Sequence, residues 1–231
     1  MSNVTKGATN NGHTTSHATI LRLARYLRVL QKLKAVGIVN VFSNNLGDAV
    51  AVTPAIVRKD FSLLGITGNK RGGYNIDLLI NELRRILGKK DNQRVVLVGC
   101  GRIGSALLEY KEFVKDGIEI VAAFDINPQK QNREGRVPIL PIEEFADFVS
   151  REAVQIAILA VPESAALPVF ETTVKAGIRG FLNFTTVELK CTGNCQYEEC
   201  PHRCTVQSVN LSLELESLFY LVNLKEQGMV S

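Results

Sequence analysis

Three glycines and one acid carry the most specific chemical signal in this 231-residue chain. Gly99-x-Gly101-x-x-Gly104 follows Val95 to Val98, an apolar run that reads as a strand buried on both faces. A helical pattern follows, carried by Ile103, Leu107, Leu108 and Tyr110. Gly99 permits the tight turn, Gly101 lets a pyrophosphate approach the backbone, and Gly104 lets the helix pack on the strand. The helix N-terminus turns unpaired N–H groups toward the phosphates. Cys100, Arg102 and Ile103 fill the other positions of the turn. The next strand, Ile118 to Phe124, closes on Asp125, where a carboxylate can accept the ribose hydroxyls of an adenosine. A 2′-phosphate there would meet a like charge, so the pattern favours NAD(H) over NADP(H). Strand, glycines, helix and acid in this order predict a dinucleotide site. The competing reading is a glycine turn that serves packing alone.

A second set is Cys191-x3-Cys195-x4-Cys200-x3-Cys204, beside His202. Thiols this close in a Gly/Asn/Pro loop can close round one metal, as zinc or an iron–sulfur cluster. The spacing differs from the usual x2, so reversible disulfides and inert thiols remain as alternatives.

The third set is cationic. Arg22, Arg25 and Arg28 recur every third residue beside an apolar stripe of Leu21, Ala24, Leu27, Leu30 (or Val29) and Leu33. Thr53-Pro54 opens a short helix with a good N-cap and a proline at its first position. That helix turns Ile56 (or Val57), Phe61 and Leu64 toward a core and Arg58 and Lys59 outward. Lys70 and Arg71 sit on a glycine-rich hairpin tip. Two short helices followed by such a tip read as a helix-turn-helix with a wing, a DNA-binding arrangement. The charge agrees. Residues 1–90 hold 14 Lys/Arg against 4 Asp/Glu, an excess of ten, while the rest hold 13 against 19, a deficit of six. The candidate DNA contacts are therefore Arg22, Arg25, Thr53, Arg58, Lys59, Lys70 and Arg71. The bland reading of each cation is a solvated face.

These residues need elements to hold them. Met1 to Ser16 has hardly an apolar side chain, so residues 1–17 are expected to be a disordered tail. Helices are expected over Ala18–Val36, Ser43–Val50 and Ile76–Leu87, with a short strand near Val39–Phe42. The polar stretch Gly88 to Gln93 is the expected linker, giving domains at 18–88 and 92–208. After the glycine turn, strands at Ile118–Asp125, Val137–Leu140, Gln155–Val161 and Ile178–Asn183 alternate with helices at Ile142–Val149 and Ala165–Ala176. That alternation predicts a doubly wound parallel sheet. Ligand should lie at the carboxyl ends of its strands, so Val161-Pro162 and Asn183 should border the cofactor. Residues 209–231 hold a last helix, Leu211 to Leu224. It is apolar round much of its circumference and must be buried. Neither a signal-like h-region nor a membrane-length apolar run is present, so a cytoplasmic protein is expected.

From about residue 18 onward the chain resembles the Rex family of redox-sensing transcriptional repressors. The resemblance rests on Val52-Thr53-Pro54-Ala55 through Arg58-Lys59-Asp60-Phe61-Ser62, on Lys70-Arg71-Gly72 and Tyr74-Asn75, and on Gly99-x-Gly101-x-x-Gly104. Ala123-Phe124-Asp125, Ile158-x-Ala160-Val161-Pro162 and Gly177-Ile178-x-Gly180-x-Leu182-Asn183-Phe184 extend it. It implies a homodimer. Each subunit would have an N-terminal winged-helix domain and a C-terminal Rossmann domain, and its C-terminal helix would be swapped with the partner. It also implies a repressor that holds palindromic operator DNA at low NADH and releases it when NADH binds. Tyr110 and Arg102 match positions near the nicotinamide pocket. The chain departs from the family at Asn210, where an aspartate is usual, and in the cysteine segment 191–204, which is an insertion.

The alternative class is an NAD-dependent oxidoreductase with an accessory DNA-binding domain. Such an enzyme needs a general acid or base near the nicotinamide. The Rossmann part holds one histidine, His202, and no separate catalytic domain follows. A third reading makes the cysteine segment the sensor. The residues support sensing rather than turnover.

Overall fold

Side-chain caps fix where the first helices begin. Ser16 Oγ accepts Thr19 N–H at 3.2 Å and starts α1 (His17–Ala35). Asn75 Oδ1 accepts Leu78 N–H at 3.1 Å and starts the helix that closes the first unit. The computed structural model describes residues 16–69, 71–89, 92–190 and 204–229. It divides into two compact units, Met1–Lys90 and Asp91–Ser231.

In the first unit, α1 is followed by β1 (Asn40–Val41), α2 (Ser43–Val50), α3 (Pro54–Leu63), β2 (Tyr74–Asn75) and α4 (Ile76–Ile86). β1 and β2 pair antiparallel, with Val41 opposite Tyr74. Gly47 allows the turn from α2 to α3 to close, since a Cβ there would stand 2.6 Å from Val52 O. The face of α1 differs from the expected stripe. Leu23, Tyr26, Leu27 and Leu30 are buried, whereas Leu21 and Ala24 are exposed. Tyr26 turns the helix: its ring packs edge-on against Phe61 at 5.4 Å, and its hydroxyl finds a buried acceptor. A count of apolar residues alone passes over such an amphipathic aromatic. On α3 the core residue is Val57, with Ile56 exposed.

The second unit comprises β3 (Gln93–Val98), α5 (Arg102–Leu108), α6 (Lys111–Lys115), β4 (Ile118–Asp125), β5 (Ile139–Pro141), α7 (Phe145–Glu152), β6 (Ile156–Leu159), α8 (Glu163–Lys175), β7 (Gly180–Asn183), β8 (Thr205–Ser208) and α9 (Leu211–Glu226). The sheet runs β5-β4-β3-β6-β7-β8, and every neighbouring pair is parallel. Alternate residues of β3 enter different cores. Val96 and Val98 join Phe145, Phe148 and Phe170 from α7 and α8. Val95 and Leu97 join Leu107, Leu108 and Phe113 from α5 and the start of α6. Helices thus cover both faces, as a parallel sheet requires. The strand order reverses between β3 and β6, which marks the ligand crevice of a Rossmann sheet.

Two differences from the sequence reading stand out. β8 was not expected. Thr205-Val206-Gln207-Ser208 has one apolar residue and sits on the sheet edge against β7, so no periodicity announces it. The cysteine segment therefore falls inside the β7–β8 crossover rather than beside the last helix. In addition, α9 exposes its apolar residues within one chain, up to 67% for Phe219, and none of its side chains is buried.

Ala153 closes α7 in the left-handed conformation, at φ 50° and ψ 38°. A Cβ there costs about 1 kcal/mol or somewhat more. Ala153→Gly should recover about that much, and calorimetry should show a higher melting midpoint for the second unit. A lower midpoint would mean that the Ala153 methyl contributes more packing than its backbone costs.

Candidate nucleotide and nucleic-acid sites

The glycine turn lies between β3 and α5, and each glycine has a separate physical reason. Gly99 has φ +95°, and a Cβ on it would stand 2.5 Å from Ala160 O at the end of β6. A Cβ on Gly104 would stand 1.9 Å from Gly99 O, so this glycine lets α5 press against the turn. Gly101 is different. It has an ordinary φ of −69°, and nothing lies within 4 Å of where its Cβ would stand. Neither backbone strain nor protein packing requires a glycine there. Gly101 is the N-cap of α5, and the open space beside it would admit a group as close as a pyrophosphate.

The turn is pinned to the second strand. Gly99 N–H donates to Phe124 O at 2.8 Å, and Cys100 N–H donates to Asp125 Oδ2 at 2.7 Å. Asp125 Oδ1 accepts Asn127 N–H at 2.8 Å. A carboxylate has about four acceptor sites, so two remain for ribose hydroxyls. Two neighbours escaped the sequence reading. Ile126 is 77% exposed beside Asp125, an apolar face suited to a base. Lys130 Nζ donates to Cys100 O at 2.6 Å. Cys100 itself is buried, and burial pushes its thiol up to about 11, Asp125 adding to the shift and Lys130 opposing it. The side chain is a neutral wedge under the turn, and its N–H is taken up by Asp125. Arg102 and Ile103, the first residues of α5, are exposed.

Val161 borders the turn: its Cγ1 would lie 2.9 Å from a Cβ on Gly99, with Pro162 exposed beyond it. Two of the expected cofactor contacts are placed elsewhere. Asn183 is fully buried, and its side-chain amide is engaged within the protein. Nδ2 donates to Val187 O at 2.9 Å, and Oδ1 accepts Thr185 N–H and the Thr185 hydroxyl at 3.0 and 2.8 Å. It braces the loop after β7 instead of facing a ligand. Tyr110 stacks edge-on with Phe113 and lines a cavity of about 390 Å³ with Gly117, Ile118 and Glu119. Those residues stand at the amino end of β4, the edge opposite the glycine turn. α5 starts at the carboxyl edge and runs toward the amino edge, so Tyr110, just past its end, is carried away from the glycine turn.

In the first unit, Thr53 Oγ1 accepts Ile56 N–H at 3.4 Å and caps α3. Arg25, Arg58 and Lys59 are exposed, as is Arg71 on the hairpin tip; Lys70 lies outside the described residues. The tip is closed by paired hydrogen bonds of 2.9 and 2.8 Å between Asn69 and Gly73. Asn69 Oδ1 also accepts Arg71 N–H at 2.8 Å. A hollow between α3 and this tip is lined by Phe42, Ser43, Asn44, Arg58, Asn69 and Tyr74, and Arg58 donates to Ser43 Oγ at 3.1 Å. Ser43, Asn44 and Asn69 were missed because an isolated short polar residue carries no periodic signal.

Arg22 is the correction in this unit. It does not point outward but grips Asp60 with two bonds of 2.7 Å, from Nε and Nη2. Asp60 is 1% exposed and also accepts the Tyr26 hydroxyl at 3.1 Å. The bond to Asp60 raises the Arg22 pKa, and burial pushes Tyr26 up to about 12. This cluster ties α3 to α1 and so aims Arg58 and Lys59.

Of the expected metal ligands, Cys191, Cys195 and Cys200 lie outside the described residues. Cys204 is half-buried, and its thiol donates to Ile178 O at 3.7 Å. No group of three or more potential metal ligands occurs among the described residues.

Residues 90–187 match the family described as "CoA binding domain", and residues 14–62 match "Putative DNA-binding protein N-terminus". Over 211 residues the chain is 39% identical to the redox-sensing transcriptional repressor Rex of Desulforamulus reducens, covering 91% of this chain and 96% of that protein. The Rex of Bacillus subtilis is 37% identical, with 89% and 91% covered. Among solved structures, a crystal structure of RSP in complex with β-NAD+ and operator DNA superposes with a TM-score of 0.81 at 31% identity, covering 93% of this chain and 95% of that one. RSP in complex with β-NADH gives 0.76 at 30% identity, covering 93% and 97%.

Arg22→Ala would leave Asp60 buried with Tyr26 as its remaining side-chain partner. The first unit should lose about 3 kcal/mol, at the low end for a broken buried pair because Arg22 keeps some solvent. Urea unfolding followed by far-UV circular dichroism reads this loss. An unchanged midpoint with weaker, less salt-dependent DNA binding would restore Arg22 as a phosphate contact.

Proposed function

The chain belongs to the Rex family of redox-sensing transcriptional repressors, and on that premise we propose that it holds operator DNA while NADH is low and lets go when NADH binds. The observation that carries this reading is the glycine turn, open at Gly101 and pinned to Asp125, in a chain that also has a winged-helix unit. The Gly99–Gly104 turn would hold the pyrophosphate with its backbone N–H groups, Asp125 the adenosine ribose, and Ile126 one face of the base. Val161 and Pro162 would border the other half of the ligand. The like charge of Asp125 favours NADH over NADPH.

On the DNA side, the exposed Arg58 and Lys59 of α3 would enter the major groove. Arg71, with Lys70, would reach phosphates from the wing. Arg25 and the N-cap Thr53 complete the proposed interface. The oxidoreductase reading loses ground for two reasons. The relatives are named as repressors. Tyr110, the one titratable aromatic assigned to the cofactor, stands at the amino edge of the sheet.

The uncovered α9 supports a homodimer in which this helix is exchanged. Asn210 Oδ1 caps it by accepting Leu213 N–H at 3.1 Å. A metal on Cys191, Cys195, Cys200 and Cys204 would close the β7–β8 crossover, and four thiolates suit zinc or an iron–sulfur cluster. Protein purified without oxygen would then carry about one zinc, or several irons with sulfide, per chain. Elemental analysis finding neither leaves the disulfide-forming or inert reading.

The decisive experiment is a DNA-mobility assay with NADH titrated at fixed NAD+. The wild-type protein should leave its operator as NADH rises, at lower concentration than with NADPH. Gly101→Val should stay bound throughout, because its side chain fills the open space at the turn. Release of Gly101→Val at wild-type NADH concentrations would overturn the placement of the cofactor.

A further inference from the structure

Glu163 is the first residue of α8, directly after Val161-Pro162 at the carboxyl end of β6. Four contacts order this corner beside the nucleotide turn. Ala160 N–H donates to Val98 O at 2.9 Å, and Phe184 N–H donates to Leu159 O at 2.9 Å, so the ends of β3, β6 and β7 are stitched together. Gly99 has room for a hydrogen only, because Ala160 O stands where its Cβ would be. Finally, the Thr186 hydroxyl donates to Glu163 Oε2 at 3.2 Å. Thr186 is held in turn by its neighbours, since Thr185 and Val187 are both bound to the buried Asn183 amide. The Glu163 carboxylate is therefore exposed yet oriented, and it makes no ion pair with a cation among the described residues.

The two halves of a Rossmann sheet take the two halves of a dinucleotide. Asp125 lies at the end of β4, in the half that takes adenosine. The other half, over β6 and β7, takes the nicotinamide. NAD+ and NADH differ in charge at that ring alone: the oxidised ring carries one positive charge, and the reduced ring is neutral. A fixed carboxylate beside it attracts one form and not the other.

The geometry points to Glu163, oriented by Thr186, as the residue that sets the balance between the oxidised and reduced cofactor by favouring NAD+. This inference rests on the NAD(H)-sensing reading above. A carboxylate at this corner raises the NADH/NAD+ ratio at which the protein leaves DNA. Thr186 is a positioning residue, acting through Glu163. A purely structural role, such as complementing the positive end of the α8 dipole, would act equally on both cofactor forms.

The test is calorimetric titration of the full-length protein with NAD+ and with NADH separately. Glu163→Gln should weaken NAD+ by about threefold to tenfold, the range for one charge pair at a partly solvated site, and leave NADH within about twofold. The loss should shrink as salt rises. Glu163→Asp keeps the charge and should keep most of the discrimination. Thr186→Val should shift the ratio in the same direction as Glu163→Gln, by less. In the mobility assay, Glu163→Gln should leave its operator at a lower NADH/NAD+ ratio than wild type. Equal weakening of both forms, or unchanged NAD+ binding, would overturn the assignment while leaving the sensing reading intact. A wild-type protein that binds neither form would instead overturn the sensing reading.

Discussion

The second unit depends on one close approach of backbone to backbone. Gly104 brings α5 so near the glycine turn that a single added carbon would overlap Gly99 O. That contact sets where the N-terminus of α5 stands relative to the carboxyl edge of the sheet. Gly99 then presses on the end of β6, and the bond from Cys100 N–H to Asp125 ties in the end of β4. Three strand ends that belong to distant parts of the chain are thereby registered on one short turn. The surrounding cores, with the aromatic residues of α7 and α8 on one face and α5 and α6 on the other, hold the sheet against which this registration is made.

The first unit solves a related problem with charge. A helix of ten residues such as α3 is marginal alone and has to be aimed by its neighbours. Asp60, on the inner face of α3, is gripped by Arg22 and Tyr26 of α1. A buried ion pair is weak evidence for stability, since its desolvation offsets much of its attraction. What it supplies is direction. A carboxylate buried among apolar residues has one good place to go, so α3 has one good orientation and Arg58 and Lys59 have one outward face.

Much of this was legible in the residues, and what was not has identifiable causes. The glycine turn, the helix-turn-helix order and the α/β alternation each carry a local pattern that the fold then uses. Asn183 was misjudged because its position at a strand's carboxyl end is right for a ligand contact, while its burial depends on Ser208 and Val187, which pattern does not reveal. Arg22 was misjudged because cations spaced by three look alike on a helix, and only the inward turn of Asp60 separates it from Arg25. β8 was invisible because an edge strand with one apolar residue has no period to detect. Tyr110 was assigned by family position, and the run of α5 from the carboxyl to the amino edge places it beside the start of β4.

α9 has a consequence for the thermodynamics of the protein. Leu211, Leu213, Leu215, Leu218, Phe219, Leu221 and Val222 spread round its axis, so no single groove on one side could cover them. The described residues of the chain do not bury this helix, and in the proposed homodimer its cover comes from the partner. In such a dimer part of the free energy of the folded state would be bimolecular, and it would scale with the logarithm of protein concentration. A repressor present in few copies per cell would sit closer to its dissociation threshold than one measured at millimolar strength. Its occupancy of DNA would follow its own abundance as well as its ligand.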